Sequence, residues 1–550
     1  MLTTLHLAAI VVVTVVAFFP ALSGTFVSDD FADVRDKALI RALDWPHVHE
    51  IFRTMDGPNY MPFKVLSFAI DYRVWGPGPW GFHVTNLALH TVAALVVYGV
   101  LRRLAMAPWT AVLAALLWAV HPIQVESVAW IAERKNVLSV LCFLLAFACY
   151  LAYSRRPRAA TYVATSAFFV VAILTKMTTV VLPAVCVVHE LVEHGRLRRH
   201  ALALIVPLFL LVPPVVAYNL AGNPVHGGDY HGGSALVSGL SSAVVVWRYL
   251  GLLLDPRGVS NVYDVTLHGS LLDPPVLAAV LGLVVVAVVT LVQLRARTRE
   301  GFWLAWFGIT LLPLLNVVPF RSMMNDRHVY LASLGIFALV AMAAQAAAGN
   351  RRARPLVALV AIGAVGGCGA LTARRCAAWA TPLDYWLDAD GRHYVLGADP
   401  PSTRPEADGI MAAMRGTIAR DPRSAIAHNT LGALLLESGQ LDEARAHLET
   451  ARDLDPEAAP VLVNLGRVDA HLGRMDDGAA VLQRAVALDP YSFMAAWLLA
   501  DVELARGDAA AARPALEACR RLEPSSFASS PVLRAEREAL ARQRRAEPSD

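Results

Sequence analysis

Apolar runs close to the length of a membrane-crossing helix recur along most of this chain, and no other feature restricts its fold as much. A crossing helix needs ~20 predominantly apolar residues, and its backbone polar groups must pair within the helix because hydrocarbon offers no partner. Such runs lie near 5–22, 82–104, 108–121, 137–153, 160–174, 177–192, 201–220, 276–294, 302–319, 329–347 and 355–372. The stretch 239–254 is ambiguous. Hydrophobic residues make up 56% of the 550 and charged residues 17%, unlike an ordinary soluble domain. Charges are sparse and clustered up to about Arg375 and dense afterwards, so a membrane part precedes a soluble one. A net charge of +3 gives no argument for nucleic acid, and the six cysteines show no paired spacing for disulfides or zinc.

Basic clusters orient the membrane part. They lie at Arg102–Arg103, Arg155–Arg158, Arg196–Arg199, Arg295–Arg299 and Arg351–Arg354. Short cytoplasmic loops concentrate Lys and Arg, so all five should share one side. They do so only if 239–254 fails to cross, as a re-entrant or surface helix. The expectation is eleven crossings with the N-terminus inside, the C-terminal part outside, and Arg374–Arg375 as the one exception. The first run should be retained as an anchor: Ala21-Leu22-Ser23-Gly24 offers small residues for cleavage, but Met1 to His6 has no Lys or Arg.

The soluble part is periodic. Asp421-Pro422, Asp455-Pro456, Asp489-Pro490 and Glu523-Pro524 recur every 34 residues. Gly439, Gly473 and Gly507 keep that interval, as do Leu448, Leu482 and Leu516. A 34-residue period with these small and apolar positions is the signature of tetratricopeptide repeats. The glycine ends the first helix of each pair and the acid-proline step ends the second. The chain thus divides into a membrane domain 1–380, a linker 381–404, repeats 405–530 with full units near 421–522, and a charged cap or tail 531–550. Glu406–Arg420 reads as the second helix of a degenerate leading unit.

The predicted external loops, 23–81, 122–136, 221–275 and 320–328, hold the candidates for chemistry. The first opens with Asp29 and Asp30, adjacent carboxylates beside a bilayer. Such a pair can push its pKa values apart, leaving one as a base; it can equally be two solvated acids or a helix cap. Tyr60 to Trp75 reads as an amphipathic helix on the membrane surface. The second loop brings an acid, Glu126, an imidazole, His121, and two adjacent cations, Arg134 and Lys135, next to the bilayer. A guanidinium fork suits phosphate, while the alternative is an interfacial belt with Trp130. Lys176 between two spans is a functional hint or a snorkelling anchor. The fourth loop adds Arg321, Asp326 and Arg327. His83, Asn86 and His90 share one helix face, where buried helix-helix bonding explains them more often than catalysis. His226, Asp229 and His231 lie among glycines without rigid ligand spacing, so the sequence supports no metal and no certain cofactor.

In order, Val27-Ser28-Asp29-Asp30, Phe82 to His90, His121 to Trp130, Arg134 to Ser139, Leu174-Thr175-Lys176 and Asn325 to Leu331 form a set. This set resembles the tetratricopeptide-containing transmembrane O-mannosyltransferases and their bacterial relatives. The resemblance covers nearly the whole chain. It implies a GT-C glycosyltransferase fold: an all-α polytopic membrane domain followed by an α-solenoid. It also implies a polyprenyl-phosphate-linked sugar donor, a protein or glycan acceptor, and transfer on the outer face of a cell membrane, here a bacterial inner membrane. An acid of the first external loop serves as base in that fold, which maps onto Asp29 or Asp30, and a second acid maps onto Glu126. Arg134, Lys135, Lys176, Arg321 and Arg327 are then expected at the lipid phosphate, with His83, His121 and Asp326 in support. Asn136 departs from the acid expected there in many relatives, and the repeats number only about three. The competing functions are a membrane scaffold or transporter with a repeat domain for partners, and a lipid-linked glycan ligase. Most ionisable groups fall in loops, which counts against transport.

Overall fold

A computed structural model describes residues 2–56, 59–222, 230–261, 263, 265–320, 322–381 and 404–522. Apart from an isolated bridge between Asp56 and Asn59, the described regular structure is helical. The chain divides into two units. The first contains α1 (Leu2–Phe18), α2 (Trp45–Ile51), α3 (Pro62–Trp75), α4 (Pro79–Arg103), α5 (Pro108–Val120), α6 (Val125–Ala129), α7 (Arg134–Arg155), α8 (Ala159–Ile173), α9 (Leu182–His194) and α10 (Arg199–Gly222). It continues with the later part of α11 (Ala235–Leu254), most of α12 (Pro274–Arg295), α13 (Arg299–Leu311), α14 (Ser333–Ala347) and α15 (Arg354–Cys376).

Among the described residues eight helices are long and apolar enough to cross a membrane, or nine if the pair Pro108–Val120 and Pro122–Ala129, bent by 53°, is one span. Ala159–Ile173 and Ser333–Ala347 are shorter apolar helices, and α13 has 13 residues. The expected eleven runs therefore include several that are short by length alone. Ala235–Leu254, expected not to cross, is long and apolar enough to do so.

Contacts at the helix ends sort this unit into two ends. At one, Thr25 N donates to Ala380 O at 2.7 Å, Tyr60 N to Asn219 Oδ1 at 2.9 Å, and Tyr249 Oη to Asn325 O at 2.9 Å. At the other, Arg155 Nη2 donates to Arg103 O, Arg299 Nη1 to Ala105 O at 3.0 Å, and Gly195 packs against the Arg297 guanidinium. Four of the basic clusters meet there, as positive charge confined to one side requires. Helix α10 ends at the first, loop-bearing end, and so does α11, whose Trp247 Nε1 donates to Ala279 O near the start of α12 at 3.0 Å. The exceptional pair is anchored at the loop end, where Arg375 Nη2 donates to Asn261 Oδ1 at 2.6 Å.

The second unit holds the repeats with Gly228–Ser242 and Val262–Val276. Helix Arg404–Arg420 precedes three pairs: Ala425–Glu437 with Leu441–Leu454, Ala459–His471 with Met475–Leu488, and Phe493–Ala505 with Ala509–Leu522. Gly439, Gly473 and Gly507 sit at φ of +76°, +75° and +82°, the left-handed conformation that closes a helix without a Cβ clash. Gly432 and Gly466 serve a different need. A Cβ at Gly466 would lie 2.5 Å from Leu482 Cγ, so the missing side chain lets paired helices approach. The expected linker, apart from Thr381 and Arg404, and the expected tail lie outside the described residues.

Gly466→Ala should destabilise a 404–550 fragment by ~1–3 kcal/mol, the range for overpacking. Gly416→Ala, in a helix with open space around the glycine, should stabilise it by ~0.5–1 kcal/mol. Urea unfolding followed by circular dichroism reads both signs; equal shifts would remove the close-packing account of Gly466.

Candidate functional site

Ser28 has a positive φ of 50°, which turns the chain sharply before Asp29 and Asp30, and the residues Phe31–Arg35 then form a single π-helical turn. The turn sends the two acids to different places. Asp30 is fully buried, and both its oxygens accept backbone N–H groups: Oδ2 from Val27 at 3.0 Å and Oδ1 from Ala132 at 2.7 Å. Burial raises its pKa, aided by Asp33 and Asp29 and opposed by the two amides. Asp29 is exposed, and among the described residues its carboxylate has no hydrogen bond or ion pair. Of the pair, Asp29 is the one open to solvent.

The rest of the first loop is pinned by buried charge. Lys64 Nζ lies 2.7 Å from both Asp33 Oδ2 and Asp56 Oδ2, and Lys37 pairs with Asp56. Burial alone would lower the Lys64 pKa, but the Asp33 and Asp56 carboxylates outweigh it and raise it. Around these pairs Val34, Ile40, Ile51, Phe68, Phe82 and Ile131 form an apolar core. Helix α3 gives Val65 and Phe68 to that core and leaves Ile70, Val74 and Trp75 exposed.

A second cluster gathers beside Ala132. Glu126 Oε2 accepts from Arg327 N at 2.7 Å, and Oε1 pairs with the Arg327 guanidinium. Glu133, fully buried, stands 3.0 Å from Lys135 Nζ, 3.5 Å from Arg327 Nε and 4.0 Å from Lys176 Nζ. Lys176 Nζ donates to Asn136 Oδ1 at 2.9 Å, and Asn136 Nδ2 donates to Ser127 Oγ at 2.7 Å and Arg327 O at 3.0 Å. Trp130 lies under the cations, its ring centroid 5.4 Å from Arg327 and 5.9 Å from Lys135. Burial lowers the Lys176 pKa to about 8, with neighbouring Lys135 and Arg327 adding to the effect and Glu133 opposing it. Three cations, Lys135, Lys176 and Arg327, face two carboxylates, Glu126 and Glu133, so one positive charge is left over, which suits a phosphate.

The structure thus joins Glu126, Lys135, Lys176 and Arg327, and adds Glu133 and Asn136, which the site prediction omitted. The signal for Glu133 was its place directly before Arg134-Lys135; Asn136 was noted only as a departure. Arg134 stands apart from this cluster. It is wholly buried, its Nη2 donating to Asp71 Oδ2 at 2.7 Å and Phe82 O at 2.9 Å, and its Nε to Asn86. Its helical position turns it inward, where it fastens α3 and α4 to α7. His121 caps a helical turn by accepting from Ile123 N at 3.2 Å, and the His83 ring packs on Gly24, so both support the backbone. His90 bridges Tyr330 Oη at 2.6 Å and Ala119 O at 2.8 Å. Asp326 is buried at the start of the turn carrying Arg327. Arg321, His226 and Asp229 lie outside the described residues. Among the described residues no three His, Cys, Asp or Glu side chains are grouped to hold a metal.

An all-helical, multi-pass membrane unit with an acid-and-cation cluster at one end, joined in one chain to tetratricopeptide repeats, defines the class of protein. A family model described as dolichyl-phosphate-mannose-protein mannosyltransferase matches residues 62–218. One described as tetratricopeptide repeat matches 412–459, 429–493 and 464–527. A protein O-mannosyl-transferase of Drosophila melanogaster is 31% identical over 190 residues, covering 30% of this chain and 20% of that one. A protein O-mannosyl-transferase of Homo sapiens is 35% identical over 160 residues, covering 25% and 22%. The matched stretches span about a fifth of these relatives' own length. A crystal structure of ArnT from Cupriavidus metallidurans bound to undecaprenyl phosphate aligns over 87% of this chain and 79% of its own, at 17% identity and a TM-score of 0.38. That score carries no argument here. The resemblance drawn from the ordered motifs agrees with the two family matches and the named relatives.

Removing the Arg134 guanidinium leaves Asp71 buried without its partner, a change that costs ~3–5 kcal/mol. Arg134→Met should therefore lower the melting temperature in detergent, with donor binding per folded molecule unchanged. A selective loss of donor binding at unaltered stability would return Arg134 to the phosphate site.

Proposed function

We propose that this protein transfers one sugar from a polyprenyl phosphate to a hydroxyl of a protein or glycan acceptor. The observation that carries the reading is the bond between Ala132 N and Asp30 Oδ1. It ties the turn that presents Asp29 to the residue before Glu133, around which Lys135, Lys176 and Arg327 gather. A proton acceptor and a cationic cradle are therefore joined through one short link. Asp29 removes the acceptor proton as the hydroxyl oxygen bonds to the anomeric carbon. The bond from that carbon to the carrier phosphate breaks, and the cations stabilise the charge that develops on the departing phosphate. One displacement inverts the anomeric centre. Glu126 and Glu133 hold the cations, and Asp30 holds the base.

The GT-C resemblance supports the same division of labour, and mannose is the sugar suggested by the relatives' names. The loop end faces outward in this reading, because the basic clusters mark the opposite end as cytoplasmic. The repeats, on the outer side, select the acceptor. A bacterial inner membrane fits the resemblance.

Asp29→Asn keeps size but removes the proton acceptor. It should lower sugar transfer by purified protein ~10²–10⁴-fold while leaving melting temperature and donor binding at parent values. Asp30→Asn should lower stability and transfer together, since its amide nitrogen must face one of two backbone N–H donors. Parent-rate transfer by the Asp29→Asn protein would remove Asp29 as the base.

A further inference from the structure

An open cavity of about 390 Å³ lies at the basic end of the membrane unit, between α1, α4 and α7. Arg102, Arg103 and Arg155 line it with Leu7, Leu95 and Tyr98. Among the described residues none of these three guanidiniums has a carboxylate partner. Their hydrogen bonds go to backbone carbonyls: Arg102 to Met106, Arg103 to Gly99 and Arg155 to Arg103. A guanidinium has five N–H donors, so most of the donor capacity stays available. Tyr98 forms a fixed part of the wall, its Oη 3.0 Å from His6 Nδ1. Gly99 keeps the floor open: the one atom near a Cβ there would be Arg103 Nη1 at 3.2 Å.

The apolar wall continues past the cavity. Val11 lies one turn beyond Leu7 on α1, and Val92 one turn before Leu95 on α4, both exposed and on the matching faces. Three guanidiniums at the end of an apolar groove match the shape of a lipid, a charged head with a chain running along the helices. We infer that this cavity binds the phosphate head of an anionic phospholipid from the leaflet at the basic end. The shared chemistry with free phosphate is the phosphate-guanidinium contact. The apolar groove beside it favours the lipid, and basic pockets between spanning helices suit such heads.

The test titrates detergent-solubilised full-length protein with short-chain phosphatidylglycerol, short-chain phosphatidylcholine and inorganic phosphate, and counts bound molecules by native mass spectrometry. Phosphatidylglycerol should bind, and the Arg102→Gln, Arg103→Gln, Arg155→Gln triple variant should weaken it ~10-fold or more. Leu95→Trp, which fills the cavity and leaves every charge in place, should weaken it similarly. Arg351→Gln with Arg352→Gln, basic residues outside the cavity, should leave it unchanged. Equal binding of phosphatidylcholine overturns the inference, as does an equal loss in the Arg351, Arg352 variant, which would make the effect one of diffuse charge. Inorganic phosphate binding as tightly as the lipid overturns it in favour of a free-anion site. Full binding by a folded Leu95→Trp protein places the lipid elsewhere.

Discussion

A buried carboxylate with both oxygens on backbone amides joins the two halves of the candidate site. Asp30 accepts from its own turn through Val27 and from Ala132, 102 residues away in sequence. That second bond ties the turn carrying Asp29 directly to the segment between α6 and α7, while Arg134 and Asp71 tie α3 to the start of α7. An ionised or partly ionised group without water is costly, so it persists only where fixed donors replace its hydration. The amides of Val27 and Ala132 are such donors.

The same rule recurs through the membrane unit. Lys64 is held between Asp33 and Asp56, Arg134 between Asp71 and Asn86, and Glu133 among three cations. At the basic end Arg198 grips Glu190 with Nε at 2.9 Å and Nη2 at 2.8 Å, while Tyr150 and Ser154 donate to the same carboxylate. Removing one partner from such a pair leaves a buried charge, so these pairs restrict which arrangements of helices are tolerable. They set geometry more than they add net stability. The site cluster differs from the others in holding three cations against two carboxylates, Glu126 and Glu133.

Much of this was legible in the sequence because periodicity and charge are local signals. The 34-residue spacing of Asp-Pro steps and glycines gave the helix pairs, and the basic clusters gave a grouping that four of them keep at one end of the membrane unit. The limits were equally physical. Asp29 and Asp30 are adjacent, and only the positive φ at Ser28 decides which of them turns inward. Arg134 and Lys135 are adjacent on a helix, where neighbours point about 100° apart, so one goes to the core and one to the cluster. Glu133 read as one more loop acid, since its value lies in Lys176 and Arg327, which arrive from elsewhere in the chain. No spacing within a loop carries that information.

The account rests on a carrier phosphate being recognised by Lys135, Lys176 and Arg327, and donor choice tests that most directly. Purified full-length protein would be given labelled sugars either on polyprenyl phosphate or on a nucleoside diphosphate, with a hydroxyl-bearing acceptor. The account predicts transfer from a polyprenyl-phosphate donor and none from the nucleotide forms. Transfer from a nucleotide sugar alone, or no transfer from any polyprenyl-phosphate donor across a panel of sugars and acceptors, would contradict it.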